Sequence, residues 1–177
     1  MHTRARASVH LVLLSGLLAA LPIGAGEKEE LRAGLAGFRE VPVISTGASG
    51  RFHAVIDDKA GTIAYELRYS RLEGDVQQAH IHVGQRSVNG AISVFLCQTE
   101  ASPDPTGLAP RCPQSGQVSG TLQAANMIEG GIVNQGIAPG EFAELVQAIR
   151  SGVAYVNVHS SKFPGGEVRG QLRTHKH

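Results

Sequence analysis

Two histidines placed two residues apart are the feature of this sequence with the clearest chemical potential. They lie in Ala79-His80-Ile81-His82-Val83-Gly84, where apolar and polar residues alternate as in a β-strand. Because side chains alternate between the two faces of a strand, His80 and His82 point the same way, about 6–7 Å apart. Two imidazoles at that spacing can share one metal ion.

A third histidine, His159, ends a second strand-like run, Tyr155-Val156-Asn157-Val158-His159. If the two strands are neighbours, three imidazoles form a metal site, with copper as the first choice and zinc as the second. His53, in another alternating run, is a candidate fourth ligand. An open coordination position in such a site would allow ligand binding or redox chemistry.

The alternative is that these polar residues are structural. His80 would then bond to loop carbonyls, and Asn157 with His159 would hold the turn at Pro164-Gly165-Gly166. Glu167 and Arg169 share a strand face, so they would hold a neighbouring loop or form an ion pair, and a structural pair of small energetic value is favoured. The residues alone leave the metal and structural interpretations open.

The elements that must position these side chains are β-strands. Gly is abundant at 22 residues, Trp is absent, and short alternating apolar runs are separated by Gly, Pro, Ser and Asp. This pattern predicts an all-β sandwich or barrel of about eight strands. The predicted strands are 31–41, 51–57, 62–70, 76–83, 91–97, 118–122, 153–159 and 167–173. Asn89-Gly90 predicts a tight turn before the fifth strand.

One segment breaks the β pattern. Phe142, Leu145, Val146 and Ile149 are spaced i, i+3, i+4 and i+7, which is one stripe of a helix. With Gly152 in the position of a C-terminal cap, the spacing predicts one short helix near 140–151.

The N-terminal residues have the layout of a secretory signal peptide. Arg4 and Arg6 precede an apolar run over 11–21, and small residues follow. We therefore expect a signal peptide over 1–25, one domain over 26–173 and a flexible tail over 174–177. The protein is predicted to be exported to the periplasm or the extracellular space, without a stable membrane span after cleavage.

Charge and cysteine content narrow the function further. Without residues 1–25 the chain loses two arginines and no acidic residue, so its formal net charge falls from +1 to −1. A near-neutral balance argues against nucleic acid as a partner. Cys97 and Cys112 are predicted to form a disulfide closing a loop of about 15 residues, worth roughly 3 kcal/mol. A redox or copper-thiolate role is disfavoured, because neither cysteine lies in a Cys-x-x-Cys pair or beside a histidine.

Four motifs, in order, resemble the CHRD domain, which is repeated in chordin and occurs singly in exported bacterial proteins. The motifs are Leu35-Ala36-Gly37-Phe38-Arg39-Glu40-Val41-Pro42, Ala79-His80-Ile81-His82-Val83-Gly84, Tyr155-Val156-Asn157-Val158-His159-Ser160 and Pro164-Gly165-Gly166-Glu167-Val168-Arg169-Gly170-Gln171-Leu172. The resemblance implies an immunoglobulin-like or related antiparallel β-sandwich. By analogy with chordin, it also implies a protein partner outside the cytoplasm.

The spacing of His80 and His82 is also similar to the His-x-His of copper/zinc superoxide dismutase, another β-sandwich. The chain has no matching bridging histidine, zinc loop or active-site arginine, so this resemblance does not imply dismutase activity. No Ser-His-Asp spacing or phosphate-binding glycine loop is present either. Two hypotheses follow: a non-enzymatic exported binding or envelope-associated module, and a periplasmic copper or zinc protein using His80, His82 and His159.

Overall fold

The computed structural model describes residues 28–175 and consists of nine β-strands, three short 3-10 turns and one α-helix. The strands are β1 (Glu29–Ala36), β2 (Ser49–Asp57), β3 (Thr62–Ser70), β4 (Val76–Val83), β5 (Ala91–Cys97), β6 (Gly116–Leu122), β7 (Ala154–Ser160), β8 (Val168–Gln171) and β9 (Arg173–His175). The helix α1 is Phe142–Arg150. The predicted signal peptide, residues 1–25, lies outside the described residues.

All strand pairs are antiparallel and belong to one sheet, which confirms the all-β prediction. The order is β5-β4-β7-β8-β1-β2-β3-β6, and β9 pairs with β1. The sheet curls until its ends approach: the Tyr65 hydroxyl on β3 donates to the Leu96 carbonyl on β5 over 2.6 Å. We call β5-β4-β7-β8 the covered half, and β9-β1-β2-β3-β6 the open half.

The core lies between the two halves. Alternate residues of every long strand face it, because a sheet with one apolar face must bury that face. On β4 these residues are Ala79, Ile81 and Val83, and on β7 they are Val156 and Val158. The polar residues between them therefore project from the outer face of the sheet.

Helix α1 packs against the same core and confirms the predicted helix. Its buried residues are the predicted stripe, Phe142, Leu145, Val146 and Ile149. The chain leaves the helix at Gly152, whose φ of 72° favours glycine. Among residues 28–175, no helix is long and apolar enough to cross a membrane.

The first strand is shorter than predicted: it ends at Ala36, not at residue 41. Gly37 begins a 3-10 turn, and its carbonyl accepts from the amides of both Glu40 and Ile44 at 2.9 Å. A Cβ at position 37 would lie 2.3 Å from the Ile44 carbonyl oxygen, so the chain can fold back here only at a glycine. The reversal turns the Glu40 side chain into a buried position.

The predicted turn at Asn89-Gly90 is wrong. The chain reverses three residues earlier, at 86–87, where the Val88 amide donates to the Gln85 carbonyl over 3.2 Å and Ser87 has a φ of 64°. The Asn89 side chain instead donates to the Val41 carbonyl over 2.9 Å and accepts from Arg169 over 3.2 Å. Tertiary partners thus outweigh the local turn preference of the Asn-Gly pair.

The C-terminal end also differs from the prediction. The last predicted strand is two strands, β8 and β9, separated at Leu172. Thr174 and His175, assigned to a flexible tail, pair in β9 with Leu31 and Glu30 of β1. The disulfide between Cys97 and Cys112 is present, as predicted, and joins β5 to the loop that leads into β6.

Candidate metal centre

Three histidines predicted from the sequence meet on the outer face of the covered half. His80 and His82 come from β4 and His159 from β7, which are adjacent antiparallel strands. His80 lies opposite Asn157, so His159 is its diagonal neighbour on the same face. One ring nitrogen from each histidine lies within 4.8 Å of the other two.

The cluster is buried although it lies on the outer face of a sheet. The exposed fractions of His80, His82 and His159 are 0, 6 and 5%. The loops around Gly90 and Pro164 bond to two of these histidines and lie over them. Burial of three imidazoles at one point requires that their polar nitrogens find partners.

Two of the histidines are oriented by backbone carbonyls. His82 Nδ1 lies 3.0 Å from the Gly90 oxygen, and His159 Nδ1 lies 2.8 Å from the Pro164 oxygen. A carbonyl oxygen only accepts, so in the neutral rings the proton is on Nδ1 and the lone pair is on Nε2. Histidines that bind a metal characteristically donate their other N–H to a carbonyl in this way.

Two of the four remaining ring nitrogens have no hydrogen-bond partner in the protein. His80 Nε2 and His82 Nε2 are buried without a hydrogen-bond partner among residues 28–175. His159 Nε2 lies 3.1 Å from His80 Nδ1, but also 2.9 Å from Asn157 Oδ1. In the neutral ring with its proton on Nδ1, this last contact places a lone pair against an oxygen acceptor. A cation bound between these atoms would satisfy both groups.

The pKa values of the histidines favour the neutral, metal-binding form. Burial lowers the pKa of His82 to about 4, with the neighbouring His159 adding to the effect against the bond to Gly90. Burial, and then the proximity of His159 and His82, lowers the pKa of His80 well below its ordinary value. Burial also lowers the pKa of His159, against its bond to Pro164. Near neutral pH the three rings therefore offer lone pairs without first losing a proton.

Aromatic rings surround the cluster. The ring of His82 stacks on Tyr155 with centroids 4.7 Å apart and planes 6° apart, and His80 packs edge-on against Phe95 with centroids 4.3 Å apart. The guanidinium carbon of Arg169 lies 3.3 Å from the centroid of Tyr155. These contacts leave His82 little freedom to rotate, so its Nε2 has a defined direction.

Arg169 holds the loop that precedes β5 over the histidines. It is 2% exposed and donates to the carbonyls of Gln85 over 3.1 Å and Val88 over 2.8 Å. The same loop supplies Gly90, the acceptor for His82. Arg169 thus acts on the cluster through the loop and through Tyr155, whose ring stacks on His82.

Glu167 holds two other loops. Its Oε1 accepts from the Thr46 hydroxyl and from the Glu73 amide, both over 2.8 Å. Among the described residues it has no ion pair with Arg169, so the favoured structural pair is wrong and the loop-holding alternative applies to both residues. Glu167 and Arg169 bond to different loops, and these bonds replace the ion pair between them.

Glu40 is a buried acid that the sequence did not single out. It is 4% exposed, and its Oε1 has no hydrogen-bond partner among residues 28–175. Burial raises its pKa to about 7, against the charge of Arg169 and bonds to the Val41 backbone and Asn157. Its only sequence signal was a place in the first motif, because alternation cannot show that a turn buries the residue.

His53, the proposed fourth ligand, does not join the cluster. It lies on β2, on the outer face of the open half, with its side chain 47% exposed and Nε2 3.7 Å from Glu30 Oε2. The sheet places β2 three strands away from β7. Asn157, predicted as a structural residue, places its side-chain oxygen 2.9 Å from Nε2 of His159.

Comparison with known proteins identifies a matching family. Residues 31–172 match the CHRD domain, over most of the chain and over every strand of the covered half. No curated protein and no solved structure matches the chain.

Proposed function

The chain belongs to the CHRD domain family, and from that premise we propose that it is a metal-binding CHRD module with His80, His82 and His159 as ligands. The observation that carries the proposal is a set of three buried, neutral imidazoles with one ring nitrogen each within 4.8 Å of the others, two of whose nitrogens have no hydrogen-bond partner. A purely structural role explains the bonds to Gly90 and Pro164, but not the two nitrogens left without partners.

The donor atoms need little rearrangement to bind one ion. Metal–nitrogen bonds of about 2.0–2.1 Å place ligands of a tetrahedral ion about 3.3 Å apart. The histidine nitrogens already lie within 4.8 Å of one another. Small side-chain rotations cover the difference, and Asn157 Oδ1, 2.9 Å from His159 Nε2, is positioned as a fourth donor.

Copper(II) is the preferred ion and zinc the second. Three imidazoles and an amide oxygen suit both, and copper binds more tightly than zinc to a given nitrogen site. Because the donors are buried and a fourth one is at hand, the site resembles a closed structural centre more than an open catalytic one. The proposed role is therefore to hold a metal without enzymatic turnover.

Export is part of the proposal. The predicted signal peptide and the disulfide both support a periplasmic or extracellular location, since disulfides persist in oxidising compartments. N-terminal sequencing of the exported protein is expected to begin near residue 26. The predicted protein partner outside the cytoplasm stays a prediction.

Metal titration of the exported protein tests the site. Calorimetry with copper(II) is expected to give one equivalent. At about 100 times Kd the ion adds about 2.7 kcal/mol of stability, and Tm rises by about 5–10 °C. The electron paramagnetic resonance spectrum of the copper form is expected to show splitting from imidazole nitrogens, a readout that needs no variant.

Two substitutions give the matched comparison. His159→Gln removes a ligand and is expected to abolish the stoichiometric site, whereas His53→Gln, an exposed histidine outside the cluster, leaves it intact. His82→Phe also removes a ligand but keeps a ring that can stack on Tyr155. It therefore tests the site in a variant whose packing is preserved. Wild-type protein that binds neither copper nor zinc, or binding lost equally in both Gln variants, refutes the proposal.

A further inference from the structure

The outer face of the open half carries a second candidate site, built from arginines. Three adjoining concavities of about 270, 470 and 580 Å³ follow one another across it. The first two share Arg32 and Gly34, and the last two share Gly50 and Arg51. Together they form one shallow trough. The arginines that line the trough are Arg32, Arg39, Arg51, Arg68, Arg86 and Arg173.

Most of this positive charge is not balanced locally. Arg32 pairs with Glu30 at 2.6 Å and Arg68 pairs with Glu66 at 2.7 Å. The other four trough arginines have no carboxylate partner within the part of the chain that the structure describes. The formal charge of the whole chain is only +1, so the charge is concentrated on this face by the fold and not by composition.

Two pairs of these arginines oppose each other across neighbouring strands. Arg32 on β1 is the register partner of Arg173 on β9, and Arg51 on β2 is the register partner of Arg68 on β3. Like charges directly opposite in a sheet destabilise it. A sheet that places arginines opposite arginines twice on one face has a surface adapted to an anionic ligand.

The trough is longer than a single ion requires. It crosses β9, β1, β2, β3 and β6, which is four strand spacings of about 4.8 Å, or roughly 19 Å. Glycines at positions 34, 50 and 116 lower its floor between the arginine side chains. Apart from the imidazoles of His53 and His175, its aromatic lining residues are Phe52 and Tyr69, which are buried at 2% exposure each and offer no surface on which bases could stack.

We propose that this trough binds a linear acidic polysaccharide through its sulfate or carboxylate groups. Arginine recognises both groups through paired N–H donors, and guanidinium groups repeated across the strands suit a repeating anionic chain. The absence of an exposed Phe, Tyr or Trp among the lining residues favours a polysaccharide over single-stranded nucleic acid. The proposal does not depend on the histidine cluster, none of whose residues lines the trough.

Binding to soluble polymers tests the proposal. The probes are dextran sulfate for sulfate, polygalacturonate for carboxylate, neutral dextran as the uncharged control and oligothymidylate for nucleic acid. Binding of one or both acidic polysaccharides is expected at an ionic strength of about 20 mM and loss of binding at about 500 mM, where charges are screened. Which polymer binds identifies the anionic group.

A charge-matched pair of variants tests the place of binding. Arg51→Gln/Arg173→Gln is expected to weaken binding about tenfold, because two charge-assisted contacts are lost. Lys59→Gln/Arg111→Gln removes the same charge outside the trough and is expected to leave binding within about twofold. Removing one arginine from each opposed pair is also expected to raise Tm by about 1–4 °C.

Three results would overturn the proposal. They are no binding of either acidic polysaccharide at low salt, tighter binding of oligothymidylate than of both, and equal weakening in the two double variants. The last would mean that binding follows net charge and not the trough.

Discussion

The two halves of the sheet have outer faces of opposite character, although both alternate in the same way along their strands. In the covered half the outward side chains, among them His80, Asn157 and Arg169, are buried. In the open half the outward side chains, among them Arg51 and Arg68, are exposed. The difference lies in the loops, because those around Gly90 and Pro164 bond to histidines and lie over the covered half.

The same residue type therefore has different surroundings in each half. Arg169 is enclosed by carbonyls and an aromatic ring, whereas Arg68 forms a solvent-exposed ion pair with Glu66. His82 is a neutral buried ring, whereas His53 lies half-exposed beside Glu30. On the open half water can hydrogen-bond to the polar groups. On the covered half water is excluded, so each polar group needs a partner within the protein.

Arg169 gives the largest expected contrast between the halves. Arg169→Gln removes the bonds that a buried guanidinium makes to two backbone carbonyls, and it leaves Glu40 without its neighbouring charge, so it is expected to cost about 3–5 kcal/mol of unfolding free energy. Arg68→Gln, the same substitution in the open half, is expected to cost less than about 1 kcal/mol. Urea unfolding measures both, and similar losses would mean that the covered half is not energetically distinct.

The buried histidines predict acid sensitivity of the covered half. The pKa of His82 is about 4 in the folded chain and about 6.5 when unfolded, so its contribution is present above pH 6.5 and lost as pH falls towards 4. Between those pH values wild-type protein is expected to lose about 3 kcal/mol more than His82→Phe. Metal-free urea unfolding at several pH values measures the difference, and parallel profiles would contradict it.

Glu40 predicts a pH dependence of the opposite sign. Its pKa is raised from 4.5 to about 7, so the stabilisation associated with its protonated form is present at pH 4.5 and lost as pH rises through 7. Relative to wild type, Glu40→Gln is expected to be about 3 kcal/mol more favourable at pH 8 than at pH 4.5. Chelator-treated protein should be used, and a stability difference independent of pH would show that Glu40 ionises normally.

The smallest effect is expected for an acid of the open half. Glu66 pairs with Arg68 and accepts from Gln117 over 2.7 Å, but these side chains are exposed to solvent. Glu66→Gln is expected to change the unfolding free energy by less than about 1 kcal/mol in low salt, and by less still in high salt. A larger loss of unfolding free energy would contradict this expectation and would mean that the Glu66 contacts are as tightly coupled to folding as those of the covered half.

Several local features of the fold could be predicted from the sequence. Alternation in β3 and β4, the helical stripe from Phe142 to Ile149 and the two cysteines all indicated what the structure contains. The predictions failed where distant groups compete with local preference. Asn89 exchanges a turn for bonds to Val41 and Arg169, and Gly37 turns the chain before the end of the predicted first strand.

The sequence by itself determined which histidines share a face, because the two-residue period of a strand places His80 and His82 together whatever their surroundings. It also determined that those faces would belong to an all-β fold. Only the tertiary structure decided that β4 and β7 are neighbours in the register that brings in His159, that His53 lies three strands away from β7, and that loops exclude water from the rings. Register and burial depend on contacts between residues far apart in the chain, which no local pattern encodes.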